Sequence, residues 1–233
     1  MSVDKNPPDV NTLAAMLGDL SEIKMHDWYQ YAFSGDPLNG RFTDEQKKTW
    51  MGQAIECGSR YSERICESYH IQDPRLLAKA MGIRVSSSIE DISDRLIFAQ
   101  YIEPNQIRMN NKVVRRAEDY VKTPAVAAAL PAGLNVGDLI LAHELFHHVE
   151  NLYRDEIFTQ KKKLRLWSLG PFHSDSKIMA LSEIAAMSFA REMTDTCYSP
   201  YLLDVLLIYG QSPSDAVELY REMLKDTGRK SGM

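Results

Sequence analysis

His143-Glu144-Leu145-Phe146-His147 sets two imidazoles four positions apart, with a carboxylate directly after the first. On a helix, four positions amount to about 40° of rotation and one turn of rise, so both rings point the same way. Two neutral imidazole nitrogens so placed suit one Zn²⁺, which binds histidine nitrogen at ~2.0–2.1 Å. Glu144 then falls beside the metal rather than on it, where a carboxylate can take the proton of an activated water. His-Glu-x-x-His is for that reason a pattern of metal-assisted hydrolysis, provided it lies on a helix.

A catalytic zinc takes three protein ligands and keeps one position open. Downstream carboxylates and imidazoles in reach of that role are Glu150, Asp155, Glu156, His173, Asp175 and Glu183. The extended His-Glu-x-x-His-x-x-Gly-x-x-His form is absent, because Glu150 and Tyr153 stand where its Gly and last His would fall. The third ligand must therefore come from another element. Glu183 is the strongest choice, since Leu181-Ser182-Glu183-Ile184-Ala185-Ala186-Met187 is otherwise apolar and rich in small residues. A carboxylate on such a face is unfavourable to bury unless it is paired or bound to metal. The alanines let its helix approach the motif helix closely. His148, His173 and Tyr153 are candidates for supporting the ligands or donating to the oxyanion of a tetrahedral intermediate. His148 lies about 100° round the helix from His147 and cannot share the same metal; packing is its first expected role.

The elements that must hold these groups are read from apolar periodicity. Asn135 to Asn151 is a strongly apolar helix: Leu141, Leu145 and Val149 line one face, and His143, Glu144 and His147 stand on the other. Residues 9–32 read as a helix, as does a long stretch from Thr43-Asp44-Glu45 to Tyr69 with Thr43 or Asp44 as its cap. Asp73-Pro74 opens a short helix that Gly82 closes. Alternation in Ile83-Arg84-Val85, in parts of 95–102 and in 106–109 predicts about three short antiparallel strands. Helices follow over 111–121 and 124–130, and after the motif helix over 175–194, 200–209 and 213–225. Lys161 to Arg165 reads as a basic run in a solvated connection, and Gly170-Pro171 as a turn. The expectation is an α+β chain, mainly helical, with a small antiparallel sheet.

The whole chain sets limits on what this site can serve. Its 233 residues, 44% hydrophobic and 25% charged, match an ordinary globular chain able to bury a sizeable core. A net charge of -5 points to neither nucleic acid nor a membrane surface. The longest apolar run, 125–130, is far short of the ~20 residues that cross a bilayer. Cys57, Cys66 and Cys197 are an odd number, and the chain opens on a polar stretch, so the cysteines read as reduced thiols of a cytoplasmic protein. A DNA-binding reading pairs the helix over 77–83 with a second over 86–94, but Glu90, Asp91 and Asp94 would then face phosphates with the wrong sign.

Ile140-Leu141-Ala142-His143-Glu144-Leu145-Phe146-His147-His148 resembles the active-site helix of the ImmA/IrrE family of bacterial metallopeptidases. Glu183-x-x-Ala186-x-x-Phe189-Ala190 is similar to that family's second motif, whose Glu is the third zinc ligand. Asp73-Pro74 with Leu77-Ala78-Lys79-Ala80-Met81-Gly82-Ile83 resembles its short helix and first strand, so the likeness covers roughly 45–200. Phe146 departs from it, standing where the family has Gly. The resemblance implies a zincin-type fold and one Zn²⁺ per chain, held by His143, His147 and Glu183, with Glu144 as general base. It also implies a peptidase whose protein substrate is a helix-turn-helix repressor, with no direct contact to nucleic acid or membrane. Three segments are then expected: a helical extension over 1–42, the zincin-like domain over 43–200, and a second helical extension over 201–233. The rival that keeps the metal is a catalytically silent zinc-binding sensor or interaction partner of such a regulator.

Overall fold

Asp9 accepts the Asn11 N–H at 3.0 Å and opens helix α1 (Val10–Ser21). The computed structural model describes residues 9–87, 98–170 and 172–230. The single helix expected over 9–32 breaks after α1 and resumes through a 3-10 turn, Met25–Trp28, into α2 (Tyr29–Ser34). The break sinks Ile23 and Trp28 into the core together, and the Trp28 indole N–H donates to the Ile23 carbonyl at 3.4 Å. After a second 3-10 turn at Asn39–Arg41, α3 (Asp44–Tyr69) starts on a capping box. Thr43 Oγ1 accepts the Gln46 N–H at 3.2 Å and Gln46 Oε1 accepts the Thr43 N–H at 2.9 Å, so Thr43 is the cap. Asp73 caps α4 (Pro74–Ala80), whose first turn holds the proline, and Gly82 closes it at φ +71.

Strands β1 (Arg84–Ser87), β2 (Ala99–Ile102) and β3 (Gln106–Met109) form the expected three-stranded sheet in the order β1-β3-β2. The short turn after Ile102 makes β2 and β3 antiparallel, in register from Ala99↔Met109 to Ile102↔Gln106. β1 runs parallel to β3 instead, Arg84↔Gln106 through Ser87↔Met109, so the sheet is mixed rather than wholly antiparallel. Alternation marks which side chains turn inward; it carries no information on which neighbour a strand takes or its direction. Residues 88–94, the second half of the DNA-binding reading, and the start of the alternating stretch 95–102 lie outside the described residues.

Helices α5 (Asn111–Val121) and α6 (Pro124–Ala129) precede α7 (Val136–Leu152), the motif helix, whose cap Asn135 accepts the Asp138 N–H at 3.1 Å. A short α8 (Phe158–Lys161) follows. The expected solvated connection is then a hairpin, β4 (Lys163–Leu169) with β5 (Phe172–Lys177), reversing at Gly170, φ +57. Its signal is the alternation Lys163-Leu164-Arg165-Leu166-Trp167, which a reading of the basic residues alone passes over. Helix α9 (Met179–Met193) starts four positions later than expected because β5 takes residues up to Lys177. Helices α10 (Leu202–Tyr209) and α11 (Pro213–Asp226) complete the chain's order.

One apolar cluster runs from Leu13 to Leu224, so the segments expected as terminal extensions share the core of the central one. On α10, Leu202, Leu203, Val205, Leu206, Leu207 and Tyr209 are all buried. At roughly 1.5–3 kcal/mol for each fully buried large side chain, that helix is held as firmly as any interior element. Helix α7 lies at the centre, touched by α4, α5, α9, β2 and β3. Helix α9 is sandwiched between α7 and α3. A side chain at Gly58 of α3 would collide with the Ala185 carbonyl oxygen of α9, and would lie 2.8 Å from Ser188 Cβ and 2.9 Å from Phe189 N. No helix among the described residues is long and apolar enough to cross a membrane.

Gly58→Ala therefore forces α3 and α9 apart, against backbone that cannot yield. It is expected to destabilise the fold by about 1–3 kcal/mol, read as a lower denaturant midpoint at unchanged slope. An unchanged midpoint would show that the helices do not meet this closely.

Candidate metal centre

Helix α7 is buried on nearly every side, yet it carries His143, Glu144, His147, His148 and Glu150. Buried polar groups need partners, and here β2, α8 and α9 supply them. His143 and His147 rise on one stripe of α7 with ring centroids 5.1 Å apart. The opposing α9 brings Glu183 across to them. Ala142 on α7 and Ala185 and Ala186 on α9 are fully buried in this packed pair of helices.

The Nε2 atoms of His143 and His147 are 3.3 Å apart. Glu183 Oε2 lies 3.2 Å from His143 Nε2, and its Oε1 lies 3.7 Å from His147 Nε2. Four ligands set tetrahedrally about one Zn²⁺ at ~2.0–2.1 Å lie about 3.3 Å from one another. The two imidazole nitrogens stand at that spacing and each faces a different oxygen of the one carboxylate, a donor set of two imidazoles and one carboxylate that suits zinc. These three residues form a candidate metal-binding triad, with ligand atoms all within 4.8 Å of one another.

The charges agree with that reading. Burial disfavours charge on His147, but the carboxylates of Glu150, Glu183 and Glu144 outweigh it and hold the imidazole up at about 9. A metal arriving at neutral pH therefore displaces a proton from His147. Glu183 is open to the adjoining cavity while enclosed by its walls; burial would raise its carboxyl, but His143 and then His147 hold it down at about 2. It is an anion ready to bind at any ordinary pH.

Behind His147 stands a support that sequence reasoning did not assign. Ser182 Oγ lies 3.3 Å from His147 Nδ1 and donates to Glu150 Oε2 at 2.8 Å. Glu150 Oε2 is itself 4.0 Å from His147 Nδ1, and Thr159 donates to Glu150 Oε1. Burial would raise the Glu150 carboxyl, but His147, Thr159 and Ser182 together hold it below the usual carboxylate range. This pins the ring so that Nε2 faces Glu183, the arrangement that orients metal-binding histidines. The signal was present in the spacing, since Glu150 follows His147 by three positions on the same helix.

Glu144 is buried, and its Oε2 accepts the Tyr101 backbone N–H of β2 at 2.6 Å. His148 faces the same strand, its Nδ1 3.0 Å from the Tyr101 hydroxyl, which also donates to the Pro104 carbonyl at 2.7 Å. Burial lowers the His148 pKa and keeps the ring neutral. Tyr153 closes α7 against Tyr61, with Arg64 over its ring at 4.2 Å. His173 lies on β5, exposed, 3.6 Å from Asp175. Of the downstream ligand candidates, Asp175 pairs with Arg165 at 2.9 Å and Glu156 with Arg64 at 2.7 Å, both away from the triad. Phe146 is fully buried in the core, its ring 5.5 Å from the Phe189 ring and 6.2 Å, edge-on, from the His147 ring.

A cavity of about 320 Å³ adjoins the triad, and His143, Glu144 and Glu183 form part of its wall. None of His148, His173 and Tyr153 lines it. Its wall does include Asp204 of α10, outside every motif discussed above. Asp204 Oδ2 accepts the Tyr31 hydroxyl of α2 at 2.7 Å. Burial raises its carboxyl to about 6, from an ordinary 3.8, against the lowering effect of Tyr31 and His143. Nearby, the buried Tyr201 hydroxyl has no hydrogen-bond partner among the described residues. No family model, curated protein or solved structure matches the chain.

Two outcomes follow. Glu150→Ala removes the support of His147 and is expected to weaken zinc binding about 10–100-fold in competition with a chromophoric chelator. Unchanged affinity would show that Glu150 does not orient the ligand. Asp204 binds its proton more tightly folded than unfolded, so wild type loses stability as pH rises from about 4 to about 6. The melting temperature of metal-free Asp204→Asn should accordingly gain on wild type across that window and hold a constant lead above it. A pH-independent difference would contradict the assignment.

Proposed function

We propose that this chain is a zinc metallopeptidase, with His143, His147 and Glu183 as the metal ligands and Glu144 as the general base. The observation that carries the reading is the set of three ligand separations, 3.2, 3.3 and 3.7 Å, with a carboxylate from the next position of α7 lining the same cavity. A zinc ion held there would supply a Lewis acid that polarises a peptide carbonyl and lowers the pKa of a water towards ~7. Glu144, fixed by the Tyr101 N–H, takes the proton of the attacking water and passes it to the leaving amine. His147 keeps its Nε2 lone pair towards Glu183 because Ser182 and Glu150 hold its other nitrogen. Leu139, Ile140 and Leu203 line the same cavity and make the surroundings of these groups less polar, which strengthens their interactions.

The substrate class rests on the resemblance, which implies a helix-turn-helix regulator. A net charge of -5 suits a protein that acts on such a regulator without holding DNA itself. A regulator encoded beside this chain's gene is the first substrate to assay. The silent zinc-binding sensor is supported by one observation, the engagement of Glu144 Oε2 by a backbone N–H in place of a water.

Metal content and cleavage separate these readings. Purified protein should hold one equivalent of zinc, lost in His143→Ala and in Glu183→Ala; full retention in Glu183→Ala would remove Glu183 from the ligand set. Glu144→Gln should keep its zinc and lose cleavage by about 10²–10⁴-fold. Zinc retention with no cleavage by wild type of any neighbouring regulator would leave the sensor reading in its place.

A further inference from the structure

The cavity beside the triad has a composition that selects what enters it. Leu139, Ile140, Met187, Leu203 and Leu207 make its walls apolar. Among the described residues neither lysine nor arginine lines it, and the only basic side chain in its wall is His143, whose nitrogen is engaged in the triad. Against this stand three carboxylates, Glu144, Glu183 and Asp204. Glu183 belongs to the ligand set and Glu144 is held by the Tyr101 N–H. Asp204 has no such duty.

Asp204 is also held ready. Its one side-chain partner among the described residues is the neutral Tyr31 hydroxyl, on Oδ2 at 2.7 Å, and no cation pairs with it. Tyr31 is fixed in turn: its ring meets Trp28 edge-on at 5.6 Å and Tyr201 edge-on at 5.7 Å, while Trp28 and Tyr201 lie 5.3 Å apart. A carboxylate on a rigid aromatic mount at an apolar cavity is costly to leave unpaired. At about 320 Å³ the cavity stands near the lower end of ligand pockets, which suits one long side chain. A lysine or arginine would lay its methylene stem on the leucines and carry its charge to Asp204.

We propose that this cavity binds a basic side chain of the substrate next to the scissile bond, with Asp204 as the residue that selects it and Tyr31 as the residue that positions Asp204. The inference rests on the peptidase reading of the triad for the word substrate, and on the cavity alone for the ligand's chemistry. It also gives a role to both chain ends, since Tyr31 comes from α2 and Asp204 from α10.

The test uses three capped peptides, identical except for one residue: arginine, its neutral isostere citrulline, or leucine. Each is titrated by calorimetry into zinc-loaded Glu144→Gln protein, which does not consume it. The arginine peptide is expected to bind about 10–100-fold more tightly than the citrulline peptide, the range for a charge-assisted hydrogen bond. Asp204→Asn should bring that ratio to within about twofold, and Tyr31→Phe should lower it while a matched surface variant does not. Equal binding of arginine and citrulline, tighter binding of leucine, survival of the preference in Asp204→Asn, or no binding of any peptide would each overturn the proposal. Cleavage of the same peptides by wild type is scored separately. An arginine preference without cleavage sinks the peptidase reading and leaves the pocket standing, whereas cleavage without the preference does the reverse.

Discussion

Placing a run of ionisable side chains, His143 to Glu150, on a helix that is buried almost all round is the constraint from which the rest of this fold follows. Helix α7 holds His143, Glu144, His147, His148 and Glu150 among leucines, valine and phenylalanine. Left unpaired, each such group would cost roughly as much as a well-buried leucine contributes. The surroundings of α7 are accordingly a set of partners: the edge strand β2 gives a backbone N–H to Glu144 and a hydroxyl to His148, α8 gives Thr159 to Glu150, and α9 gives Ser182 and Glu183. The sheet takes its mixed arrangement in the same context. β1 occupies the far side of β3, which leaves the outer edge of β2 free to face α7.

The candidate triad then depends on how near α9 can come. That distance is governed from behind, by α3, through the absence of a side chain at Gly58, which lets α9 sit where it does beside α7. This position bears no charge and touches no ligand, yet it decides whether Glu183 Oε2 lies 3.2 Å from an imidazole or out of reach. The electrostatics run in the same direction. Glu183 is held ionised by the imidazoles, and His147 is held basic by the carboxylates around it. Such a cluster of opposite charges is well paired by itself and becomes better paired once a divalent cation replaces the proton.

Much of this was legible in the residues, and for definite reasons. His143, Glu144 and His147 were visible because helical spacing maps directly onto a shared face, and Glu183 because a carboxylate among alanines is anomalous. The helices over 44–69, 74–80 and 111–121 were legible from caps and periodicity. The hairpin over 163–177 is harder to read because the basic run from Lys161 to Arg165 overlaps its two-residue alternation. The parallel pairing of β1 was not legible, because pairing partners are a property of tertiary packing. Glu150 is a ligand candidate by its spacing and instead supports His147 of the candidate triad, through a Ser182 that comes from another helix. Asp204 and Tyr31 carried no local signal at all, being 173 positions apart and joined only by the fold.

That separation has a bearing on how the molecule is made. The Tyr31–Asp204 bond, and the Tyr209 hydroxyl donating to the Asp9 carbonyl at 3.0 Å, both tie an early-made part of this fold to α10, which is synthesised well after it. During translation the apolar stripe of α1, with Leu13, Leu17 and Leu20, leaves the ribosome long before α10 exists to cover it. α6 can shield part of that stripe earlier, but the core cannot close until residues beyond 209 have emerged. Contacts of such long sequence separation fold slowly. The nascent chain therefore exposes a hydrophobic face until α10 has emerged, the kind of surface that chaperones capture.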